Sequence, residues 1–287
     1  MKHFDGLLGS LIDLALAEDV GTGDVATASL VSTTVQGVAE LVAKADGVVS
    51  GLAVAEMVFR RLDADCSLEA LVADGNAVSR GAIIARIQGR YDALLTGERT
   101  ALNFLQRMSG IATLTRRFVN ELEGLPTRFL DTRKTAPGHR YTDKMAVRHG
   151  GGANHRMGLY DLAMIKDNHI AMAGGITAAV ASVRATMPAY MRIEVETATL
   201  AQVDEAIAAR ADIIMLDNMS LDLMRQAVER IAGRAMTEAS GNVSVATIRA
   251  IAETGVDFVS AGAVTHSSQA LDISMRMHPV HCGCAAE

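Results

Sequence analysis

RIEVETATLAQVDEAIAARADIIMLDN, residues 192–218, joins a short apolar strand pattern, an amphipathic helical pattern and a second apolar strand pattern. The same alternation begins with AMIK at Ala163 and continues through DFVSAG, which ends at Gly262. Repeated strand–helix units imply a parallel sheet, and their number and short connections favour a closed or nearly closed barrel. We therefore predict an α/β fold with a barrel in the second half of the chain.

Polar side chains stand where the predicted barrel strands stop. In a barrel the carboxyl ends of the strands share one rim, which carries the chemistry of barrel enzymes. Side chains alternate across a strand, so Glu194 and Glu196 share a face and are expected to point inward. Buried carboxylates need partners, either in a structural ion network or in a site for Mg²⁺ or ribose hydroxyls, and Asp217 at another strand end favours the site. The residues expected at the rim are Lys166, Glu196, Asp217, Glu238, Ser240, Ser260 and Gly262.

A cationic stretch runs from Asp131 to Asn168, although the formal net charge of the chain is -6. Apart from apolar runs at its edges it shows no helical or alternating pattern, and three adjacent glycines at 150–152 let backbone approach a ligand. Guanidinium and ammonium groups together suit a substrate with several acidic groups. A solvated basic face is the alternative, which the glycines and histidines make less attractive. The cationic residues are Arg133, Lys134, Arg140, Lys144, Arg148, His149, His155, Arg156 and Lys166.

Composition excludes several classes of protein. A chain of 287 residues with 49% apolar residues has ample material for one large or two modest domains. The negative net charge argues against binding to nucleic acid or to an acidic membrane surface. No apolar run approaches membrane-spanning length, the N-terminus lacks the layout of a secretory signal, and the three cysteines do not resemble a disulfide framework. We expect a cytoplasmic protein with reduced thiols.

The first half of the chain has a different pattern of predicted helices and strands. LIDLALAED, from Leu11, has helical spacing, and GTGDVATASLV after it is predicted as a loop entering a strand. Strand-like and helical runs then alternate up to Arg90, which predicts an α+β module. Gly21, Gly23 and Ala26 imitate a dinucleotide fingerprint, but the order of helix and strand around them is the reverse of the Rossmann order.

A long helical pattern connects this module to the barrel. Apolar residues recur at helical spacing from Ala93 to Leu122, with interruptions predicted at Gly97 and Gly110. The segment is expected to link two domains.

An ordered set of motifs resembles the quinolinate phosphoribosyltransferase family, also called carboxylating nicotinate-nucleotide pyrophosphorylases. The set comprises DTRKTAPG, GGGANHRMGLYD, IKDNH, EVE, IMLDN, EASGN and SAGAVTHS, with AEDVGTGDVAT and GERTALNFLQRMSGIAT before them. The resemblance spans nearly the whole chain. It implies an N-terminal α/β sandwich domain with the connecting helix over residues 1–110. An open α/β barrel of the type II phosphoribosyltransferase kind would follow over 111–270, and a C-terminal helix and tail over 271–287 would pack back on the first domain.

The family's reaction is implied as well. A phosphoribosyl group passes from phosphoribosyl pyrophosphate to the ring nitrogen of quinolinate with the help of Mg²⁺, and the 2-carboxylate is then lost. The products are nicotinate mononucleotide, pyrophosphate and CO2, and the reaction serves NAD biosynthesis. The resemblance also implies a homodimer or higher homo-oligomer with shared active sites.

Site residues are carried over only onto matching positions of this sequence. The resemblance implies catalytic roles for Lys166, Glu196 and Asp217, the last two holding the ribose hydroxyls and Mg²⁺ through substrate or water. It implies that Arg99 reaches in from a neighbouring subunit. The quinolinate pocket would comprise Thr132, Arg133, Lys134, His155, Arg156 and Lys166. The loops for the phosphate end would comprise Ser240, Gly241, Asn242, Ala261, Gly262 and Ala263.

Alternatives stay open beside this reading. A related branch associated with molybdenum transport shares the DTRKT-like start but lacks the NHR and IKDNH set. A ligand sensor without activity would not need the intact constellation of site residues. A phosphosugar isomerase or lyase barrel would need one phosphate site rather than two anion clusters. In the tail, His278, His281, Cys282 and Cys284 hint at a metal, but their spacing matches no standard zinc pattern, so a frayed terminus is favoured.

Overall fold

A computed structural model describes the backbone of residues 2–280 and the side chains of residues 6–278. The chain divides into two compact units. The first unit extends to Leu114 and includes Ala136–Gly151 and the residues from Ser268 onward. The second unit comprises Thr115–Thr135 and Gly152–Ser267.

The first unit is built on an antiparallel sheet. Its elements are α1 (Lys2–Val20), α2 (Val25–Leu30), β1 (Gln36–Ala43), β2 (Gly47–Val48), α3 (Leu52–Leu62), β3 (Ser67–Ala70), β4 (Ala77–Val78), β5 (Ile83–Arg90), most of α4 (Tyr91–Glu121) and α5 (Arg140–His149), with a last strand at Ile273–Val280. That strand, β1, β5 and β3 form a four-stranded sheet in this order, and β2 pairs with β4. Leu41 of β1, Ile87 of β5 and Phe59 of α3 are fully buried, so this unit has a hydrophobic core of its own.

The second unit is a parallel sheet with helices between its strands. Its elements are β6 (Arg128–Leu130), β7 (Ala163–Ile165), α6 (Asp167–Ala173), α7 (Ile176–Thr186), β8 (Ile193–Thr197), α8 (Leu200–Ala208), β9 (Ile213–Asp217), α9 (Leu221–Ile231), β10 (Met236–Ser240), α10 (Ile248–Ala252), β11 (Phe258–Ser260) and α11 (Ala263–His266). Its six parallel strands lie side by side in the order β6-β11-β10-β9-β8-β7. The strand at Ile273–Val280, which belongs to the first unit, is β12. Six strands in this order, with β6 and β7 at the two edges, form the open α/β barrel that the family resemblance implies.

The barrel strands follow the predicted burial pattern. Val195, Ile214 and Leu216 are fully buried, as expected for parallel strands that are covered on both faces. Glu194 is fully buried as well, and Glu196, two residues along the same strand, is partly buried. Glu194 lies 3.2 Å from His155 and Glu196 lies 2.7 Å from Lys166 at the end of β7, so both carboxylates face the same side of the sheet, as predicted.

The C-terminal segment is not a helix over its described part. β12 pairs antiparallel with β1, from Ile273 opposite Ala43 to Val280 opposite Gln36. Ile273 and Met275 are buried while Arg276 is exposed, which is the period-two burial of a strand at the edge of a sheet. The helix predicted within 271–287 is wrong for this stretch, and His281, Cys282 and Cys284 lie outside the described residues.

Two further local predictions are corrected in the first unit. Val25–Leu30 forms α2 rather than the start of a strand, because the Asp24 carboxylate accepts the amide N–H of Thr27 at 3.0 Å and caps the helix. The connecting helix α4 continues through both glycines that were expected to interrupt it. At Gly110 a Cβ would collide with the carbonyl oxygen of Gln269, and at Gly97 it would lie 3.0 Å from Phe59, so the glycines serve close packing.

The cationic stretch is not one continuous loop, because α5 lies within it. This helix buries Thr142, Asp143 and Ala146, and a salt bridge of 2.7 Å joins the Asp143 carboxylate to Arg107 of α4. A buried face that includes an aspartate does not register as an apolar period, which is why the sequence did not show the helix. None of the described helices is both long and apolar enough to cross a membrane.

Candidate active site

A cavity of about 810 Å³ opens at the carboxyl ends of the barrel strands. All of its lining residues belong to the second unit. The cavity collects three kinds of group on one rim: cations, carboxylates, and loops of small residues. Among its lining residues are Thr132, Arg133, Lys134, His155, Arg156, Lys166, Glu196, Asp217, Ser240, Gly241, Asn242, Ala261, Gly262 and Ala263, which are the site residues predicted for the barrel.

The cations of the cavity are held at fixed positions. Lys166 follows β7 directly, and its Nζ lies 2.7 Å from Oε1 of Glu196. The guanidinium of Arg156 donates to the carbonyl oxygen of Leu162 at 3.1 Å. Burial and then the charge of Arg133 lower the pKa of Arg156 below its usual value. Two guanidinium groups that oppose each other's charge favour an anionic ligand between or beside them.

Asp217 provides the second carboxylate of the rim at the end of β9. Its Oδ2 accepts a hydrogen bond of 2.9 Å from Nδ2 of Asn218. Glu196 and Asp217 are the candidates for a magnesium ion, because Mg²⁺ takes oxygen ligands and is commonly held by one or two carboxylates together with substrate phosphates and water. Since Glu196 is already paired with Lys166, the residues fit an ion held partly by a substrate.

Loops of small residues form the third part of the cavity. Gly241 and Asn242, after β10, have φ values of 96° and 51°. Gly262, after β11, stands before α11, and a Cβ there would lie 2.7 Å from the Lys134 side chain. Thr265 of α11 donates to the carbonyl oxygen of Lys134 at 2.7 Å, which ties this loop to the cationic one. Backbone amides at such turns and helix starts are suited to phosphate oxygens.

A buried ionic cluster lies at the base of the cavity. Nε2 of His155 is 3.2 Å from Oε2 of Glu194 and 3.4 Å from Oε2 of Glu238. Glu238 also accepts the hydroxyl of Ser260 at 2.6 Å. Among the described residues these three are the one His, Cys, Asp and Glu group close enough together to hold a metal ion, and their separations also suit hydrogen-bonded ion pairs.

The cluster controls the protonation of His155. Burial alone lowers the pKa of this imidazole, but the hydrogen bonds and charges of Glu194 and Glu238 outweigh burial and raise its pKa to about 10. Burial raises the pKa of Glu194, which His155 only partly offsets. Nε2 of His155 faces the two carboxylates, so the proton that they stabilise lies on this nitrogen, while Nδ1 lies 2.7 Å from the backbone nitrogen of Arg156.

Family models match both parts of the chain. The model of the quinolinate phosphoribosyl transferase N-terminal domain matches residues 24–109, and that of the C-terminal domain matches residues 111–276. The chain belongs to the quinolinate phosphoribosyltransferase family.

Relatives within the quinolinate phosphoribosyltransferase family match over most of the chain. A probable carboxylating nicotinate-nucleotide pyrophosphorylase of Synechocystis sp. is 48% identical over 265 residues, which cover 91% of this chain and 90% of the relative. The decarboxylating quinolinate phosphoribosyltransferase 1 of Nicotiana glauca is 44% identical, covering 94% of this chain and 82% of the relative. The crystal structure of NadC from Streptococcus pyogenes superposes with a TM-score of 0.91 at 43% identity, over 94% of this chain and 96% of the other.

Not every predicted residue of this family member reaches the cavity. Arg140, Lys144, Arg148 and His149 lie on α5 in the first unit and are not among the residues that line the cavity. Instead, Nδ1 of His149 lies 2.8 Å from the hydroxyl of Ser50. Helix packing, rather than local charge, decides where the cations of α5 lie.

Arg99 and Asn218 complete the comparison with the sequence. Arg99 lies on α4 in the first unit with an exposed side chain, and its proposed reach into a neighbouring subunit stays a prediction. Asn218 lines the cavity but was not predicted as a site residue, although it follows the strand-end Asp217 directly. The structure places the other predicted groups on one rim, and their individual roles remain predictions.

Proposed function

We propose that this protein transfers a phosphoribosyl group from phosphoribosyl pyrophosphate to the ring nitrogen of quinolinate and removes the 2-carboxylate. The products are nicotinate mononucleotide, pyrophosphate and CO2. One observation carries the proposal: a single cavity combines a group of cations, two strand-end carboxylates and two loops of small residues. The names of the relatives from Synechocystis and Nicotiana glauca agree with it.

The cationic side of the cavity suits quinolinate, which carries two adjacent carboxylates. Burial, followed by the charge of Arg133, lowers the pKa of Arg156, so the two guanidinium groups repel each other before an anion binds. A dianion relieves this repulsion and accepts charge-assisted hydrogen bonds from the guanidinium groups. Nicotinate has a single carboxylate and would leave part of the charge uncompensated.

The opposite side suits the phosphoribosyl donor. The carboxylates of Glu196 and Asp217 can accept hydrogen bonds from the ribose hydroxyls and can stabilise positive charge that develops at C1. The loops at Gly241 and Gly262 can present amides to the phosphates. Mg²⁺ belongs to the proposal, with Asp217 and Glu196 holding it through substrate oxygens or water, and when bound it would neutralise charge on the pyrophosphate.

The chemistry requires placement rather than a protein nucleophile. The lone pair of the ring nitrogen forms the bond to C1 while the bond from C1 to the pyrophosphate oxygen breaks. The new bond makes the ring electron-poor, so the bond to the 2-carboxylate can break with its electrons left on the ring carbon, and a proton then replaces CO2 there. Arg133, Arg156 and Lys166 orient the acceptor, and Glu196 holds the Lys166 ammonium in place.

Assembly and location are also part of the proposal. A homodimer or higher homo-oligomer would let the exposed Arg99 serve the cavity of a neighbouring subunit. A cytoplasmic location is supported by the composition and the unpaired pattern of the cysteines, and cell fractionation tests it.

The activity is tested by offering two acceptors. The purified protein is incubated with phosphoribosyl pyrophosphate, Mg²⁺ and either quinolinate or nicotinate, and the products are identified by mass spectrometry. We expect nicotinate mononucleotide from quinolinate alone. A product from nicotinate only, or from neither acceptor, would refute the proposal.

A further inference from the structure

Asn218 occupies an unusual position directly after the strand-end carboxylate Asp217. Its φ is 53°, in the left-handed region that non-glycine residues rarely adopt, although asparagine tolerates it better than most. Its amide N–H donates to the carbonyl oxygen of Ser240 at 2.9 Å. The backbone of β9 is thereby fastened at its end to the end of β10.

The side chain of Asn218 connects the same two strand ends a second time. Its Nδ2 donates to Oδ2 of Asp217 at 2.9 Å, and its Oδ1 accepts from Nδ2 of Asn242 at 3.2 Å. Because an ionised carboxylate can only accept, the bond to Asp217 determines which way the amide faces. The amide therefore fixes the carboxylate on one side and the loop after β10 on the other.

The loop after β10 is shaped to receive this amide. Gly241 has a φ of 96°, and a Cβ at this position would collide with Oδ1 of Asn218. Only glycine satisfies both conditions. Ser240 at the end of β10 and the loop residues Gly241 and Asn242 thus contact or closely approach Asn218.

We infer that Asn218 is a positioning residue that joins the ribose-binding carboxylate to the phosphate-binding loop and so organises the donor half of the cavity. The inference rests on the proposed function, which assigns Asp217 and the loop at Gly241 to phosphoribosyl pyrophosphate. The cations of the acceptor half are held by contacts that do not involve Asn218: Lys166 is paired with Glu196, and Arg156 donates to the Leu162 carbonyl. Loss of the Asn218 amide should therefore weaken donor binding and leave acceptor binding nearly intact.

Two substitutions test the side-chain amide of Asn218 without disturbing its left-handed backbone conformation. Asn218→Gly keeps the positive φ without strain and removes the side chain. Asn218→Asp keeps the size of the side chain and the tolerance for this φ. It replaces the donor Nδ2 with a carboxylate oxygen, which cannot donate a hydrogen bond to Oδ2 of Asp217. Ala232→Gly is the matched control, because Ala232 is exposed, has a φ of 47° at the end of α9 and does not line the cavity.

Initial rates against each substrate and calorimetric titration with phosphoribosyl pyrophosphate provide the readouts. Both Asn218 variants should raise the donor KM and Kd by about tenfold to a hundredfold, because a hydrogen bond to a charged group is lost. The KM for quinolinate should change by less than about threefold in both Asn218 variants. In the Ala232→Gly control, the KM and Kd for the donor should also change by less than about threefold. In thermal unfolding, the Tm of Asn218→Gly should be at most a few degrees below the Tm of Ala232→Gly.

The outcomes separate this inference from the proposed function. A folded Asn218→Gly protein with an unchanged donor KM and Kd overturns the inference, as does an equal rise in both KM values, which would indicate a general structural role. If Asn218→Asp does not fold, the glycine variant decides alone. If the unsubstituted protein binds phosphoribosyl pyrophosphate but forms no product, the proposed function fails and the Kd comparison still decides the role of Asn218. If it does not bind the donor, both fail.

Discussion

Replacing Lys166 by methionine should abolish most of the activity while barely changing stability. Methionine keeps the length of the side chain and removes the ammonium group, which lies 2.7 Å from Oε1 of Glu196. The Lys166 side chain is 43% exposed and that of Glu196 is 19% exposed, so solvent screens the pair. Exposed ion pairs contribute about 0–1 kcal/mol, and the free energy of unfolding should fall by no more than that.

The effect on catalysis is larger because the substrate displaces the screening water. One charge-assisted hydrogen bond is worth about 1.5–3 kcal/mol. At about 1.36 kcal/mol for each factor of ten in rate, kcat/KM for quinolinate should fall by about tenfold to 150-fold from this bond alone. Loss of the ammonium also leaves the Glu196 carboxylate without its counter-charge beside a dianionic acceptor, which deepens the effect.

Steady-state rates with quinolinate and urea unfolding of the same preparations provide the measurement. Lys44→Met is the matched control, because Lys44 is exposed in the first unit and does not line the cavity. If Lys166→Met keeps kcat/KM within about threefold of the control, the role assigned to the ammonium is wrong. If unfolding shows a loss well beyond about 1 kcal/mol, the pair with Glu196 is structural instead.

Three other predictions concern Arg99, Glu238 and Cys66. Mixing nearly inactive Arg99→Ala and Lys166→Ala proteins should restore activity, because one site of each heterodimer then carries neither defect; no recovery despite demonstrated subunit exchange would place Arg99 in its own chain's site. Glu238→Ala should lower the free energy of unfolding by about 1–3 kcal/mol in urea titrations, because the buried Ser260 hydroxyl loses its acceptor while Glu194 still faces His155, and an unchanged free energy of unfolding would contradict this. Cys66 is 4% exposed and burial raises the pKa of its thiol to about 11, so iodoacetamide at pH 8 should label it far more slowly in the native protein than in urea, as peptide mass spectrometry can measure. Equal labelling rates would contradict the burial of this thiol.

The barrel could be predicted because its strands carry their own signal. Parallel strands that are covered on both faces appear as short apolar runs, and polar residues at their ends mark the rim. The inward orientation of Glu194 and Glu196 follows from the alternation of a single strand. These are local patterns, and the structure confirms them.

The missed elements depend on partners that are distant in the sequence. β12 is a strand because β1, near the start of the chain, offers it an edge. α5 is a helix whose buried face includes Asp143, which is acceptable only because Arg107 provides a counter-charge. Neither partner is visible in the local sequence, so the helix that the family resemblance implied for the first and the loop that the missing apolar period indicated for the second were both wrong.

Most residues that line the cavity were predicted from the sequence, but their contacts with one another were not. Strand ends and motifs identify Lys166, Glu196 and Asp217, yet they do not show that Glu194 and Glu238 converge on His155 or that Asn218 bridges two loops. The left-handed backbone of Asn218 and its side-chain contacts are tertiary features. An asparagine directly after a strand-end aspartate is the one signal that could have drawn attention to it.

Release of labelled CO2 tests the account most directly. Quinolinate labelled in its 2-carboxylate is incubated with the protein, and trapped CO2, pyrophosphate and nicotinate mononucleotide are measured together. The account predicts equal amounts of all three, formed only when phosphoribosyl pyrophosphate and Mg²⁺ are both present. Labelled CO2 without the donor, or pyrophosphate release with the label retained in the nucleotide, would contradict it.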